Sequence, residues 1–571
     1  MAEETKSEER AQAVRARIAH TSWLFRTVFW LVVFLCSSFT AVAACIVWCA
    51  SQFSGIEEPA GFLLRLFVKG FLFALVMLFA AGRLRRAAQT RPEPVAPTSA
   101  TTSPDLVHRP AALALVLAAI ALLVCPYLGT YPHLEPDEAH HLIVARNLAQ
   151  YGVYGSGHPE AGFTWFDDYD SVGPPVIGPT ALAIHIGEDT LISGRIVMAV
   201  FYLLLATAAY VFMRPLFGVP SAVTSILVAA ASVGSVYLGR TLYGEAPALF
   251  FLLTALLFWR LSIQGHAPLS TALVSGVFFA FMILSKFFIA VAVWPMLGAI
   301  IFDRMTHRRV RAVHILAPAA MAALIVGAWF FVPSLVHPTD GGGTSGMLSM
   351  YRHNLLFGFH SVGVTLLWIL REPLMLLVFL LAMTAAVPIV FHRSYDPAGI
   401  ALFLLAPFIA YWWLFFTTGN IPRYLWYAIA VSAFFTGPLV WMFLRGTRTA
   451  KTPAARTACV LLAGLVLLPF LLNTYRESQG IFARDDMADE NALANYVASL
   501  PSGHPIATTF YPVERSMNVL TGRYVKRVPA DPTAFSSNGI VIVDSASQDM
   551  LLMNRTQERR FGRYVIVKGT G

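Results

Sequence analysis

The chain has 571 residues, of which 57% are hydrophobic and 13% charged, and its mean hydropathy is +0.63. That composition excludes an ordinary water-soluble domain and makes the bilayer the main solvent. The net charge of +9 would suit nucleic acid, but the basic residues lie in clusters between apolar runs, the pattern of a membrane protein and not of a nucleic-acid partner.

A membrane helix needs about 20 mostly apolar residues, and such runs occur at 27–50, 61–81, 111–129, 194–213, 219–238, 246–261, 269–284, 287–302, 313–332, 372–391, 398–417, 424–444 and 458–472. The expected fold is an all-α polytopic membrane protein of about 13 transmembrane helices. The first run follows a polar segment without a small-residue cleavage site, so it reads as an anchor rather than a signal peptide. Arg10, Arg15, Arg17 and Arg26 precede it, and Arg83, Arg85, Arg86 and Arg91 follow the second run. Further clusters at Arg304, Arg308, Arg309 and Arg311, at Arg393, and at Arg445, Arg448, Lys451 and Arg456 fall on the same face when the runs are counted. By the positive-inside rule that face is cytoplasmic.

The N-terminus is then cytoplasmic and the C-terminus extracytoplasmic, with outer loops at 130–193, 239–245 and 333–371. The chain divides into 1–82 with two leading helices, a Pro- and Ser-rich cytoplasmic linker over 83–110, a membrane domain over 111–472 and an outer domain over 473–571. In that last part a helical stretch at 490–500 precedes apolar pieces at 505–511, 539–544 and 564–568, which reads as a small α/β domain. Cys36, Cys45, Cys49, Cys125 and Cys459 all fall within apolar runs, where they read as small packing residues rather than disulfide or metal groups. The Ala- and Arg-rich composition points to a bacterial inner membrane.

Polar residues concentrate in the outer loops. Pro136 suits the first position of a helix and Gly152 its end. Ala139, Leu142, Ile143 and Ala149 share a face of it, so an amphipathic helix lying on the membrane surface is expected. Asp137 and Glu138 occupy its first turn, where the helix dipole favours carboxylates. Glu245 opens a later helix on the same side, Lys286 lies in an outer hairpin, Arg423 and Tyr424 begin another helix, and Arg352 lies in the loop before Arg371. Charged groups at membrane depth are costly and mark sites, although Lys286 or Arg423 alone could snorkel to the interface. His141 stands four residues from Asp137, on one helical face, which leaves the pair open as metal ligands and a divalent cation open as cofactor. No Gly-rich phosphate loop occurs on the cytoplasmic side, so no nucleotide cofactor is expected.

Several short motifs, in this order and on one side of the membrane, resemble the lipid-linked-sugar glycosyltransferases of the C-type fold (GT-C). They are Pro136-Asp137-Glu138, Val172-Gly173-Pro174-Pro175-Val176, and Gly187 to Arg195 followed by a helix ending Arg214-Pro215-Leu216-Phe217-Gly218. Leu284-Ser285-Lys286 and Pro422-Arg423-Tyr424 are similar to landmarks of the protein O-mannosyltransferase and lipid A aminoarabinose-transferase branch. Relatives often carry a basic residue before the paired prolines, where this chain has Gly173.

The resemblance implies a polyprenyl-phosphate sugar donor, and a lipid, glycan or protein acceptor of the cell envelope. It implies Asp137 as the general base, with Glu138 as substitute base or acceptor contact and Glu245 as a second acidic group. Lys286 and Arg423 would contact the phosphate, joined by Arg352, with Tyr424 and His141 among the substrate-binding residues. The chemistry requires a base for the acceptor hydroxyl and cations for the departing phosphate. The competing readings are a transporter or flippase, which would place polar residues deep within helices, and a non-catalytic envelope-assembly protein, in which Asp137 could be replaced without loss.

Overall fold

The computed structural model describes residue 19 and residues 21–41, 74–86, 110–165, 172–336, 372–393, 396–416, 422–483, 485–528, 539–544 and 557–568. The helices are α1 (Thr21–Ala41), α2 (74–86), α3 (Pro110–Val124), α4 (Pro136–Tyr151), α5 (Pro174–Gly187), α6 (Thr190–Phe217), α7 (Val219–Ala230), α8 (Glu245–Ile263), α9 (Pro268–Ser285) and α10 (Val293–Thr306). They continue as α11 (Val313–Val336), α12 (Pro373–Pro388), α13 (Pro397–Phe416), α14 (Pro422–Phe434), α15 (Thr436–Thr449), α16 (Pro453–Ala483), α17 (Ala488–Ser499) and α18 (Tyr511–Thr521). Proline opens many of them because its fixed φ fits the first turn, whose N–H groups lack intrahelical acceptors in any case.

Among the described residues, 10 helices are long and apolar enough to cross a membrane. This is a multi-pass membrane protein. The runs at 111–129 and 219–238 emerge as the shorter helices Ala112–Val124 and Val219–Ala230. The first gives way to turns at Cys125 and Pro126, and the second breaks before a single turn at Ser235–Leu238, where Gly234 has a φ of 76°. The run at 61–81 lies mostly outside the described residues, as does the outer loop from 337 to 371 with Arg352.

Bilayer lipid gives helices little hydrophobic reason to associate, so close approach depends on small residues. A Cβ on Gly276 would come within 2.6 Å of Pro318 O, and one on Gly298 within 2.6 Å of Leu35. Helix α16 instead turns Leu461, Leu465, Leu468 and Leu471 outward, the surface expected toward lipid tails.

Between α3 and α6, α4 is followed by a hairpin of β1 (Gly155–His158) and β2 (Gly162–Trp165) and then by α5. Every residue of α4 from Glu138 to Asn147 is buried. Protein therefore surrounds the helix, where the sequence suggested one apolar face lying on lipid. Its cover comes partly from the C-terminal residues, through α18: Arg146 donates to Asn518 O and to Asn518 Oδ1, each at 2.7 Å.

The C-terminal sheet contains β3 (Ile506–Thr508), β4 (Lys526–Arg527), β5 (Ile540–Asp544), β6 (Gln557–Phe561) and β7 (Tyr564–Lys568), in the order β4-β3-β5-β7-β6. The β3 pairings are parallel and those of β7 antiparallel. Alternation sends Ile540, Ile542 and Ile566 to the face covered by Leu493, Val497, Val513 and Met517, and Val541, Val543, Val565 and Val567 to the other. The apolar piece at 505–511 yields only the short β3, because Pro512 suits a helix start and α18 begins at Tyr511.

Candidate active site

Close backbone approaches bring the turns at one end of the helical bundle together. Gly244 has a φ of 85°, and a Cβ there would collide with the carbonyl oxygen of Ser285. Glycine is thus required both by the left-handed backbone and by the neighbour. The next residue, Glu245, opens α8 and is thereby laid against Lys286, an extended residue (φ −157°, ψ 105°) between α9 and the turn Phe287–Ala292. Gly173 N donates to Leu284 O at 2.7 Å, and a Cβ at 173 would lie 2.5 Å from that oxygen. The position at which the resemblance leads one to expect a basic side chain has no room for one here. Pro422 and Pro136, each opening a helix, then deliver Arg423 and Asp137 to the same place.

The resulting cluster is centred on Arg423. Its Nη2 lies 2.6 Å from Asp137 Oδ2 and its Nε 3.8 Å from Glu245 Oε1. Lys286 Nζ approaches that Glu245 oxygen at 3.6 Å. The Arg423 guanidinium sits 4.4 Å from the ring centroid of Tyr243 and 5.4 Å from that of Tyr424, and Tyr243 Oη is 3.2 Å from Tyr237 Oη. Glu245 and Lys286 are fully enclosed, whereas the Asp137 side chain is 52% exposed.

Burial works to raise the Asp137 carboxyl, but the charge and hydrogen bond of Arg423, aided by His141 and Lys286, outweigh it and lower the carboxyl to about 2. His141 is held well below the usual imidazole value, first by burial and then by the charges of Lys286 and His140. Its Nδ1 is 2.8 Å from Leu242 O. Five buried polar atoms in this neighbourhood, Glu245 Oε1 and Oε2, Arg423 Nε, Ser285 Oγ and Tyr427 Oη, make no hydrogen bond among the described residues. Most buried polar groups in proteins are hydrogen-bonded, so this concentration of exceptions singles the cluster out as the candidate site.

Glu138 is placed differently from its neighbour. Arg195 grips both of its oxygens, Nε to Oε1 and Nη2 to Oε2 at 2.9 Å each, and donates from Nη1 to Leu128 O at 2.7 Å. Both side chains are fully enclosed. The expected role as base or acceptor contact therefore meets a carboxylate already committed to a buried fork. Tyr424 packs against Phe288 and Trp412, with ring centroids 4.9 and 6.1 Å away. Among the described residues no group of three or more His, Cys, Asp or Glu side chains is arranged to hold a metal ion.

Sequence reasoning brought Asp137, Glu245, Lys286, Arg423, Tyr424 and His141 to this region, and missed Tyr243, Ser285 and Tyr427. A signal existed for each: Tyr427 is one helical turn beyond Arg423, while Ser285 and Tyr243 stand beside Lys286 and Glu245 in sequence.

Residues 174–336 match the family described as dolichyl-phosphate-mannose-protein mannosyltransferase, a segment that includes Glu245 and Lys286 but neither Asp137 nor Arg423. No curated protein sequence matches the chain. Among solved structures, it is similar to ArnT from Cupriavidus metallidurans bound to undecaprenyl phosphate, with a TM-score of 0.54 and 14% identity, covering 80% of this chain and 98% of that one. The same protein in its apo state gives a TM-score of 0.53 at 14% identity over the same shares. The fold is that of the GT-C membrane glycosyltransferases. Within this GT-C fold, Asp137, Gly173, Lys286 and Arg423 come from motifs spread along 136–424 and are brought to one end of the helical bundle, whereas Arg214 to Gly218 close the long α6 at its far end.

Proposed function

We propose that the chain is an inverting glycosyltransferase that moves a sugar from a polyprenyl-phosphate donor to an envelope lipid, glycan or protein acceptor. The membrane is a bacterial inner membrane and the site faces its outer side, opposite the basic clusters that mark the cytoplasm. One observation carries the reading: a half-exposed carboxylate, Asp137, stands at the mouth of an otherwise buried cluster of Arg423, Lys286 and Glu245.

The acceptor hydroxyl gives its proton to Asp137 as its oxygen bonds to the anomeric carbon. The bond from that carbon to the phosphate oxygen breaks, and its electron pair leaves with the polyprenyl phosphate. A single displacement inverts the anomeric centre. Lys286 and Arg423 stabilise the charge gathering on the phosphate. Phosphate leaves readily, so the pair of carboxyl groups used in glycoside hydrolysis is not required. Glu245 holds the two cations together between reactions, and Glu138 braces α4 through Arg195.

The 2.6 Å contact of Arg423 with Asp137 is a resting arrangement, since a carboxylate held so low is a weak base. Donor phosphate competes for Arg423, and the base regains strength as the cation turns away. For the lipid chain there is an apolar groove of about 420 Å³ among α1, α12, α13 and α14, lined by Val28, Phe379, Ala410, Leu425 and Ile429. Leu425 is two residues from Arg423 on α14, so the groove runs along the helix that carries this cation, on another of its faces. The undecaprenyl phosphate named with the ArnT structure is a molecule of this chemistry on the same fold.

The test uses wild-type and Asp137→Asn protein in lipid nanodiscs, a panel of polyprenyl-phosphate sugars, and crude envelope acceptors. Release of polyprenyl phosphate by wild type and its loss in a folded Asp137→Asn variant is expected. A folded wild type that consumes no donor overturns the reading.

A further inference from the structure

A second cavity, of about 580 Å³, lies where the C-terminal sheet meets the first outer loop, between Glu160 of the β1–β2 hairpin and Ser502, His504, Arg523, Tyr524 and Lys526. That volume is typical of sites for small organic ligands. Its place relative to Asp137 follows from the helices beside it. Arg515 Nη1 donates to Pro136 O at 3.4 Å, Arg146 holds Asn518, and His158 Nε2 is 3.2 Å from Gly522 O. Helices α4 and α18 therefore run side by side in one direction, with Asp137 at one end and the cavity beyond the other. From the helical rise along α4, the two sites are on the order of 20 Å or more apart.

The cavity is preformed. Arg523 is spent on its wall, donating to the carbonyls of Val497 at 2.7 Å, Leu500 at 3.0 Å and Pro501 at 2.8 Å. The Tyr524 ring is held by stacking on His158, with centroids 5.6 Å apart and planes at 24°. What remains for a ligand is the edge and outer face of Tyr524, the exposed ammonium of Lys526, the His504 imidazole, the Ser502 hydroxyl and the Glu160 carboxylate. An aromatic platform ringed by hydrogen-bonding groups suits a sugar, whose faces are apolar and whose rim is polar. The charges of Arg523 and Lys526 against that of Glu160 leave the lining net positive, which favours a negatively charged ligand. The edge strand β4 has only two residues, too few to dock a peptide by strand addition.

We propose that this cavity is an exosite for an acidic oligosaccharide acceptor, which binds at Tyr524 and Lys526 and extends several sugar units to present its hydroxyl at Asp137. The proposal rests on the transferase reading and names the acceptor class for it.

Full-length protein in nanodiscs is titrated with a fluorescent size ladder of oligogalacturonates, with maltooligosaccharides as the neutral series and polyglutamate as the acidic non-sugar. Acidic sugars should bind more tightly than neutral ones of equal length, and affinity should fall about tenfold in Lys526→Glu and in Tyr524→Ala, with Lys526→Gln intermediate and thermal midpoints unchanged. Equal binding by wild type and variants overturns the proposal, as does equal binding of the neutral series or tighter binding of polyglutamate. Donor consumption is measured separately. Exosite failure with donor consumed leaves the transferase reading standing, whereas variant-sensitive binding without consumption refutes that reading and leaves the cavity as a carbohydrate site.

Discussion

Asp137 and Glu138 adjoin in sequence and end in opposite circumstances. Glu138 is fully enclosed, with each oxygen matched to a nitrogen of Arg195 at 2.9 Å. Asp137 keeps one short contact, to Arg423, and leaves 52% of its side chain open. Around Asp137 several buried polar atoms make no hydrogen bond among the described residues, whereas the Arg195 guanidinium finds a further acceptor in Leu128 O. The first arrangement can exchange its contacts for those of a substrate, and the second cannot without leaving a charge buried alone. A site is thus recognised here by what is unfinished, and the frame by what is complete.

The largest expected effect breaks the comparison on the open side. Asp137→Asn should lower kcat by about 10²- to 10⁴-fold, the usual contribution of a general base, while the protein stays folded with a modestly lower thermal midpoint, because the charge pairing with Arg423 is lost. A variant that keeps its kcat removes Asp137 from the chemistry. On the closed side, Glu138→Gln leaves Arg195 uncompensated and should cost about 3–5 kcal/mol of stability, read by thermal unfolding in detergent. Restoration of most of that stability in Glu138→Gln/Arg195→Gln would show that the pair acts as a brace. A Glu138→Gln protein of normal stability but without activity would instead return Glu138 to the catalytic set.

A smaller effect lies between the two regions. Gly244→Ala forces a Cβ toward Ser285 O at a φ of 85° and should displace Glu245 from Lys286. A shift of about 1 Å in such a group can cost about 10²-fold in rate, with strain of about 1–3 kcal/mol. Kinetics and unfolding of the same preparation separate the two, and an unchanged kcat would mean that the Glu245–Lys286 geometry is not needed for turnover.

The membrane frame was legible because a bilayer demands long apolar segments and Pro136 and Gly152 punctuate α4 by simple backbone rules. Lys286 and Arg423 were legible as charges at the ends of apolar runs. The Glu138–Arg195 fork was not, since its partners are separated by 57 residues and nothing local joins them. The hairpin of Gly155–His158 and Gly162–Trp165 escaped because its Gly-rich first strand lacks β propensity. The lipid-facing reading of α4 failed for a tertiary reason as well: Arg146 looks like an exposed polar residue until Asn518, 372 residues later, closes on it.

The smallest expected effect sharpens the comparison through pH. Asp137 is lowered from an ordinary 3.8 to about 2 because Arg423 outweighs burial. A depressed carboxyl contributes stability that is present in full above its unfolded value and is lost as pH falls from 3.8 toward about 2. Across the milder acid range the free enzyme keeps Asp137 ionised, so kcat/KM, which reports free-enzyme ionisations, should show no acid limb from this group. Arg423→Gln removes the main cause of depression and leaves burial to act, so the carboxyl rises and an acid limb enters the measured range. Each profile is scaled to its own plateau, which separates the limb from the loss of phosphate affinity that the same substitution brings. If both limbs coincide, another group holds Asp137 down, and the resting contact with Arg423 does not control the base.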